Sequence, residues 1–167
     1  MAFVEDTGYD QQRYWSDAGW AWRMQYQQSC PRYVQTQNGR WTRSAFGEMR
    51  SLKSDLPASN LSWHEAQAWC RWAGRRLPTE WEWEHAVLST GLLDWGQVWE
   101  WTSSPFKPYP GFQPHPYRDY SVPWFGSHKV LRGASFATHA RMKHPRYRNF
   151  FTPDRNDIFA GFRSCAL

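Results

Sequence analysis

Apolar and polar positions along the chain hold a single period only in short stretches. The clearest lies between residues 61 and 74. Ser62 is followed three positions later by Glu65, the pair whose side chains close a helix N-terminus reciprocally. Ala66, Trp69 and Ala73 then recur on one helical face, and Gly74 suits the left-handed turn that ends a helix. The spacing predicts a helix over about 63–73. A second helix follows almost at once. Thr79 is its N-cap and Glu82 the reciprocal partner, while Glu80, Glu82 and Glu84 complement the positive end of the helix dipole. It is predicted to end between Ser89 and Gly91.

Elsewhere the pattern predicts short strands and long loops. Residues Val98 to Thr102 alternate, with Trp99 and Trp101 on one face. Lys129–Phe136 and Ile158–Ala166 read as further strands. Residues 103–126 hold six prolines and read as a loop. Residues 1–30 read as a short helical or turn piece, then a loop pinned by Trp15, Trp20 and Trp22. Residues 31–60 read as loop, punctuated by Pro31, Gly39, Gly47 and Pro57. No internal repeat, low-complexity segment or domain boundary interrupts the chain. The sum is an α+β domain of two helices, short strands and much irregular structure.

Composition adds three things. The length, 167 residues, suits one domain, and its 13 Trp, 10 Phe and 8 Tyr allow a core built with little regular structure. The same rings can line a ligand pocket. The net charge of +5 raises the question of nucleic acid, but the arginines are dispersed. The densest basic group (Arg141, Lys143, Arg146, Arg148) is broken by Pro145 and aromatics, and reads as a solvated face or an anionic-substrate pocket. No nucleic-acid partner is expected. The three cysteines Cys30, Cys70 and Cys165 are odd in number, and Met1 to Asp10 carries no secretion signal, which favours a reducing, cytoplasmic compartment. No stretch approaches the ~18 apolar residues of a membrane span.

Four ordered motifs then carry a family resemblance. Leu77-Pro78-Thr79-Glu80-Trp81-Glu82-Trp83-Glu84, Gly96-Gln97-Val98-Trp99-Glu100-Trp101, Leu131-Arg132-Gly133-Ala134-Ser135-Phe136 and Ile158-Phe159-Ala160-Gly161-Phe162-Arg163 resemble signatures of the formylglycine-generating-enzyme (sulfatase-modifying factor) family. The resemblance spans nearly the whole chain and implies a C-type-lectin-like α+β fold. The branch that modifies sulfatases needs a cysteine pair ahead of the segment Thr152-Pro153-Asp154, and residues 141–154 contain no cysteine. Without a thiolate that chemistry is excluded. Thr102–Phe106, Tyr109–Phe112, Tyr117–Ser121 and Tyr147–Arg155 are similar instead to the C-terminal domain of the ergothioneine-biosynthesis sulfoxide synthases. Those enzymes use Fe(II) and O2 to join a thiol to the imidazole of trimethylhistidine. Related branches act on histidine itself or on selenium donors.

The resemblance implies roles for six residues. Tyr117 matches the tyrosine that delivers a proton during the oxygen chemistry, a task that suits a phenol of high pKa. Tyr120 matches a pocket-lining tyrosine. On spacing alone both read as loop aromatics that anchor the Pro-rich segment. Asn149 and Phe150 match the positions that hold trimethylhistidine, by hydrogen bonding and by cation–π contact respectively. Their plain reading is a turn Asn and a core Phe. Phe151 stands where actinobacterial enzymes carry an Asp for the amino group of γ-glutamylcysteine, which points to free cysteine or another donor. Arg155 matches a position that pairs a donor carboxylate bidentately, or it is a surface Arg beside Asp154 or Asp157.

In the family the iron is held by three His of a preceding helical domain. His64, His85, His115, His128, His139 and His144 contain no His-x-x-x-His pair, and they read as surface or satisfied side chains. Fe(II) is therefore expected from a partner domain or a helical iron-binding subunit, with none bound by this chain alone. Cys70 reads as core. The part resembling the family's first strands is missing ahead of Ala2-Phe3-Val4, which predicts an unpaired sheet edge and a split or truncated enzyme. Two other readings stay open: a lectin-like binding module without turnover, and an inactive fragment.

Overall fold

The computed structural model describes residues 1–91 and 93–167. Its helices are α1 (Ala2–Glu5), α2 (Asp17–Gln25), α3 (Trp63–Trp72) and α4 (Glu80–Thr90). Its strands are β1 (Val34–Gln37), β2 (Arg40–Ala45), β3 (Glu48–Ser51), β4 (Trp99–Pro105), β5 (Lys129–Gly133), β6 (Asn149–Phe151) and β7 (Ala160–Phe162). The mixture is α+β.

Both capping boxes form. Ser62 Oγ accepts from Glu65 N at 3.2 Å while the Glu65 carboxylate accepts from Ser62 N at 2.7 Å. Thr79 and Glu82 repeat the arrangement at the start of α4. Gly74 (φ 62°) and Gly91 (φ 61°) supply the left-handed residues past the two helix ends.

The main sheet has the order β6-β5-β4-β7. β4 runs antiparallel to β5 and parallel to β7, and β6 pairs antiparallel with β5. Trp63, Ala66, Cys70, Leu77, Trp101, Leu131 and Ala160 form the buried core between α3 and this sheet. The indole N–H groups inside it are satisfied: Trp63 donates to Thr102 O and Trp101 to Leu61 O, each at 2.8 Å. Gly161 lies where the chain passes closest to itself. A Cβ there would stand 2.2 Å from the backbone oxygen of Ala58, so only glycine fits. A second cluster, Phe3, Tyr9, Trp15, Trp22 and Ala68, packs the N-terminal segment on the other side of α3.

Two segments differ from the sequence reading. Residues 17–25 are helical rather than loop. Ser16 Oγ caps the helix by accepting from Gly19 N, and Trp22 is its buried anchor. Residues 34–51 form a three-stranded antiparallel sheet rather than loop. Its hairpin turns are Asn38-Gly39 (φ 49° and 71°) and Phe46-Gly47 (φ 52° and 82°), paired positive values that match the right-handed twist of a hairpin. Both β1 and β3 expose nearly all their side chains, so no alternation of apolar residues marks them. The later strands are shorter than read. β5 stops at Gly133 (φ 87°), and β7 covers three residues, with an isolated bridge from Arg76 to Cys165 beyond it. No helix among the described residues is long and apolar enough to cross a membrane.

Candidate functional site

Two carboxylates on the first turns of α4 organise the region around β6. Glu80 and Glu84 lie four residues apart and so share a helix face. Arg132 on β5 is fully buried; it donates to Glu84 and to the carbonyls of Pro145 (3.1 Å) and Arg146 (3.3 Å). Arg148 donates to Glu80 Oε1 at 2.8 Å. The pairs compensate one another's charge in a buried setting where an unpaired ion is costly. The basic group 141–148 is therefore split: Arg148 turns inward, while Arg141, Lys143 and Arg146 stay exposed. Sequence reasoning placed Glu80 and Glu84 only at a helix dipole. The one available signal for the network was acidic residues at helical spacing ahead of later arginines.

β6 carries Asn149, Phe150 and Phe151, each half-buried. Asn149 Oδ1 accepts from Phe150 N at 2.9 Å. The Phe150 ring stacks on Phe106 with centroids 4.0 Å apart and an interplanar angle of 13°, and the His128 ring meets it edge-on at 5.7 Å. Phe106 also packs on Phe125, and Phe125 on Phe112, so this aromatic group anchors both ends of the Pro-rich segment. That segment contains two short 3-10 turns, Arg118–Tyr120 and Val122–Trp124. Trp124 Nε1 donates to Asp119 O at 2.9 Å, and its ring packs on His128. Tyr117 and Tyr120 are 64% and 71% exposed, on the outside of these turns.

Arg155 lies elsewhere. It borders a cleft of about 240 Å³ lined also by Trp22, Tyr26, Arg32, Asp154 and Asn156. Its guanidinium covers the Phe151 ring at 5.0 Å and pairs bidentately with Asp157 at 2.6 and 3.0 Å. That bond holds the Asp157 carboxyl below the usual range. Among the six residues singled out by sequence, the structure thus brings the side chains of Phe151 and Arg155 together, while Asn149 bonds only the backbone of its neighbour Phe150. Among the described residues no hydrogen bond or ring contact links the Tyr117 or Tyr120 side chain to the other four.

Histidine needs one correction. His64 is neither at the surface nor satisfied: it is buried between Trp22 and Trp63, and its Nδ1 has no partner among the described residues. Burial pushes its pKa down to about 4. Among the described residues no three His, Cys, Asp or Glu side chains converge as metal ligands. Among the described residues the donor set does not fit an iron site.

A family model described as the sulfatase-modifying factor enzyme 1-like domain matches residues 1–92 and 87–166. The chain belongs to this family. Within the family domain, the buried Glu80, Glu100 and Arg132 account for three of the sequence motifs. Glu100 accepts from Trp83 Nε1 at 2.7 Å and from Arg163, tying α4, β4 and the residue after β7 together.

A protein named hercynine oxygenase from Mycolicibacterium thermoresistibile is 37% identical over 97% of this chain and 47% of its own length. Its namesake from Mycobacterium tuberculosis is 35% identical over 96% of this chain and 48% of its own. A formylglycine-generating enzyme of Streptomyces coelicolor is 28% identical, over 82% of this chain and 61% of its own. The chain spans about half the length of the hercynine oxygenases it matches. The first of these alignments runs to 211 positions against a chain of 167 residues, so that relative also carries internal segments without a counterpart here.

Proposed function

We propose that this chain forms the substrate-binding part of an iron- and oxygen-dependent sulfoxide synthase of ergothioneine biosynthesis, with iron held by another domain or chain. The observation that carries the reading is the similarity to hercynine oxygenases along 97% of the chain. In this reading the thiol S–H and an imidazole C–H bond break, a C–S bond forms, and O2 supplies one oxygen to the sulfoxide and one to water. Iron, when bound by the other part, supplies the oxygen activation.

The residues of this chain bind and orient. The Phe150 ring, held rigid by Phe106 and His128, offers a π face to the trimethylammonium group, a contact worth about 0.5–2 kcal/mol. Asn149 contributes amide donors from the neighbouring position of β6. Arg155, once released from Asp157, takes the carboxylate of the donor in a bidentate grip. Phe151 carries no charge for an amino group, which favours free cysteine over γ-glutamylcysteine. Tyr117 keeps a proton on its phenolic oxygen for delivery to the reacting centre. Its exposure suits a side chain that meets a partner surface.

The test mixes this chain with a helical His-x-x-x-His partner, Fe(II), O2, trimethylhistidine and cysteine, and follows trimethylhistidine by mass spectrometry. Formation of the cysteine sulfoxide is expected, and no consumption under any pairing overturns the reading. In the active mixture, Tyr117→Phe is expected to divert oxygen use toward oxidation of the thiol alone. An unchanged product ratio removes the role given to Tyr117.

A further inference from the structure

Arg148 connects three parts of the fold through one planar group. Its side chain is only 11% exposed, and it immediately precedes β6. Toward α4, Nη2 donates to Glu80 Oε1 at 2.8 Å, and Nε lies 2.7 Å from Glu80 Oε2. Toward the Pro-rich segment, Nη1 donates to the carbonyl of Lys107 at 3.0 Å. The guanidinium lies 4.3 Å from the Tyr109 centroid and 4.9 Å from that of Phe106. Phe106 in turn stacks on Phe150.

The segment beyond has few other fastenings. Pro108, Pro110, Pro114 and Pro116 have no N–H to donate. Among the described residues, the bond from Arg148 to Lys107 O is the one hydrogen bond that ties residues 107–116 to another part of the chain. Tyr109 adds a ring contact to Trp81 on α4 at 5.5 Å. Lysine cannot replace arginine here. Its ammonium can meet Glu80, but it lacks the fork that reaches Lys107 O at the same time and the flat face that stacks on Tyr109.

We infer that Arg148 is a positioning residue that holds the Pro-rich segment, which carries Tyr117 and Tyr120, against α4 and the Phe106–Phe150 stack. The role given to Phe150 and Tyr117 rests on the function proposed above; the clamp itself does not.

Hydrogen exchange of the whole chain tests the clamp without any chemistry. In Arg148→Lys, peptides covering residues 107–126 are expected to exchange on the order of tenfold faster, as for loss of one charge-assisted hydrogen bond, with α3 and β4 unchanged. Unchanged exchange in 107–126 overturns the inference. If Arg148→Lys loosens every peptide alike, Tyr109→Ala decides, because it weakens the clamp from the loop side and leaves Glu80 paired. A rise confined to 107–126 then supports the clamp, and no rise overturns it. In the active mixture, Arg148→Lys is expected to shift the product ratio in the direction of Tyr117→Phe. A loosened segment with an unshifted ratio refutes the positioning of Tyr117 while the synthase reading stands. Absence of turnover in the parent protein refutes that reading and leaves the exchange result to judge the clamp.

Discussion

Replacing Glu65 by Gln should make the protein markedly more sensitive to acid. His64 and Glu65 are neighbours in the first turn of α3, and both are buried. Burial raises the Glu65 carboxyl from 4.5 to about 6, against the opposing hydrogen bonds from Tyr9 and Ser62. Its folded form therefore holds the proton more tightly than the unfolded chain does. The stability this contributes is present below about pH 4.5 and is lost as pH rises through 6, on the order of 2 kcal/mol at 1.36 kcal/mol per pH unit. His64 works in the opposite sense. Burial, aided by Lys129 and opposed by Asp154, lowers its imidazole from 6.5 to about 4. Its contribution is present above pH 6.5 and is lost as pH falls through 4, on the order of 3 kcal/mol.

Between these limits the two neighbours largely cancel. The parent protein should lose only about 1 kcal/mol from this pair between neutral pH and about pH 4, and Glu65→Gln should lose about 3 kcal/mol. Glutamine keeps the reciprocal cap, because its amide oxygen still accepts from Ser62 N. The assay is urea unfolding followed by tryptophan fluorescence at several pH values, with the slope m checked for constancy. His64→Leu should reverse the trend and gain stability on acidification. Glu82, held down to about 2 by Arg76, titrates mainly below this range and is common to all three proteins. Parallel stability curves for the parent and Glu65→Gln refute the reasoning.

Two further substitutions test the fold. Arg132→Met leaves Glu84 and two loop carbonyls without their buried partner, and should cost about 3–5 kcal/mol, read as a fall in the urea midpoint; a loss below about 1 kcal/mol contradicts the network. Gly161→Ala forces a Cβ against Ala58 O and should cost about 1–3 kcal/mol or more, read as a lowered melting temperature, whereas an unchanged melt shows that the backbones can part there.

What the sequence made legible follows from how each element is specified. α3 and α4 were readable because their ends are fixed by residues three positions apart, a local signal independent of tertiary context. The strands β4, β5 and β7 were readable from apolar runs and motif context, though their lengths were not. A positive-φ Gly133 ends β5 early, and β7 lasts only as long as its parallel partner. The hairpin sheet was hidden because its strands carry Gln, Thr, Arg and Ser and largely face solvent, and Asn38-Gly39 is its one local turn signal. α2 was hidden by Gly19, which weakens a helix; here it makes room for His64, since a Cβ would stand 3.2 Å from Nδ1. Of the site, the family resemblance named Asn149, Phe150, Phe151 and the tyrosine segment, but not the strand that carries the first three, and the Glu80–Arg148 and Glu84–Arg132 pairs join residues far apart in the chain, which no local pattern encodes.

The placement of β7 has a consequence for biosynthesis. Trp99–Trp101 receive their parallel partner only from residues 160–162, and Leu61 N waits for Ala160 O, at 3.1 Å, to complete its hydrogen bond. A ribosome releasing residues one by one exposes Trp101 and Leu131 long before that partner emerges. The main sheet must therefore close after residue 162 has left the exit tunnel, and the growing chain depends during that interval on its helices to keep those rings from sticking elsewhere.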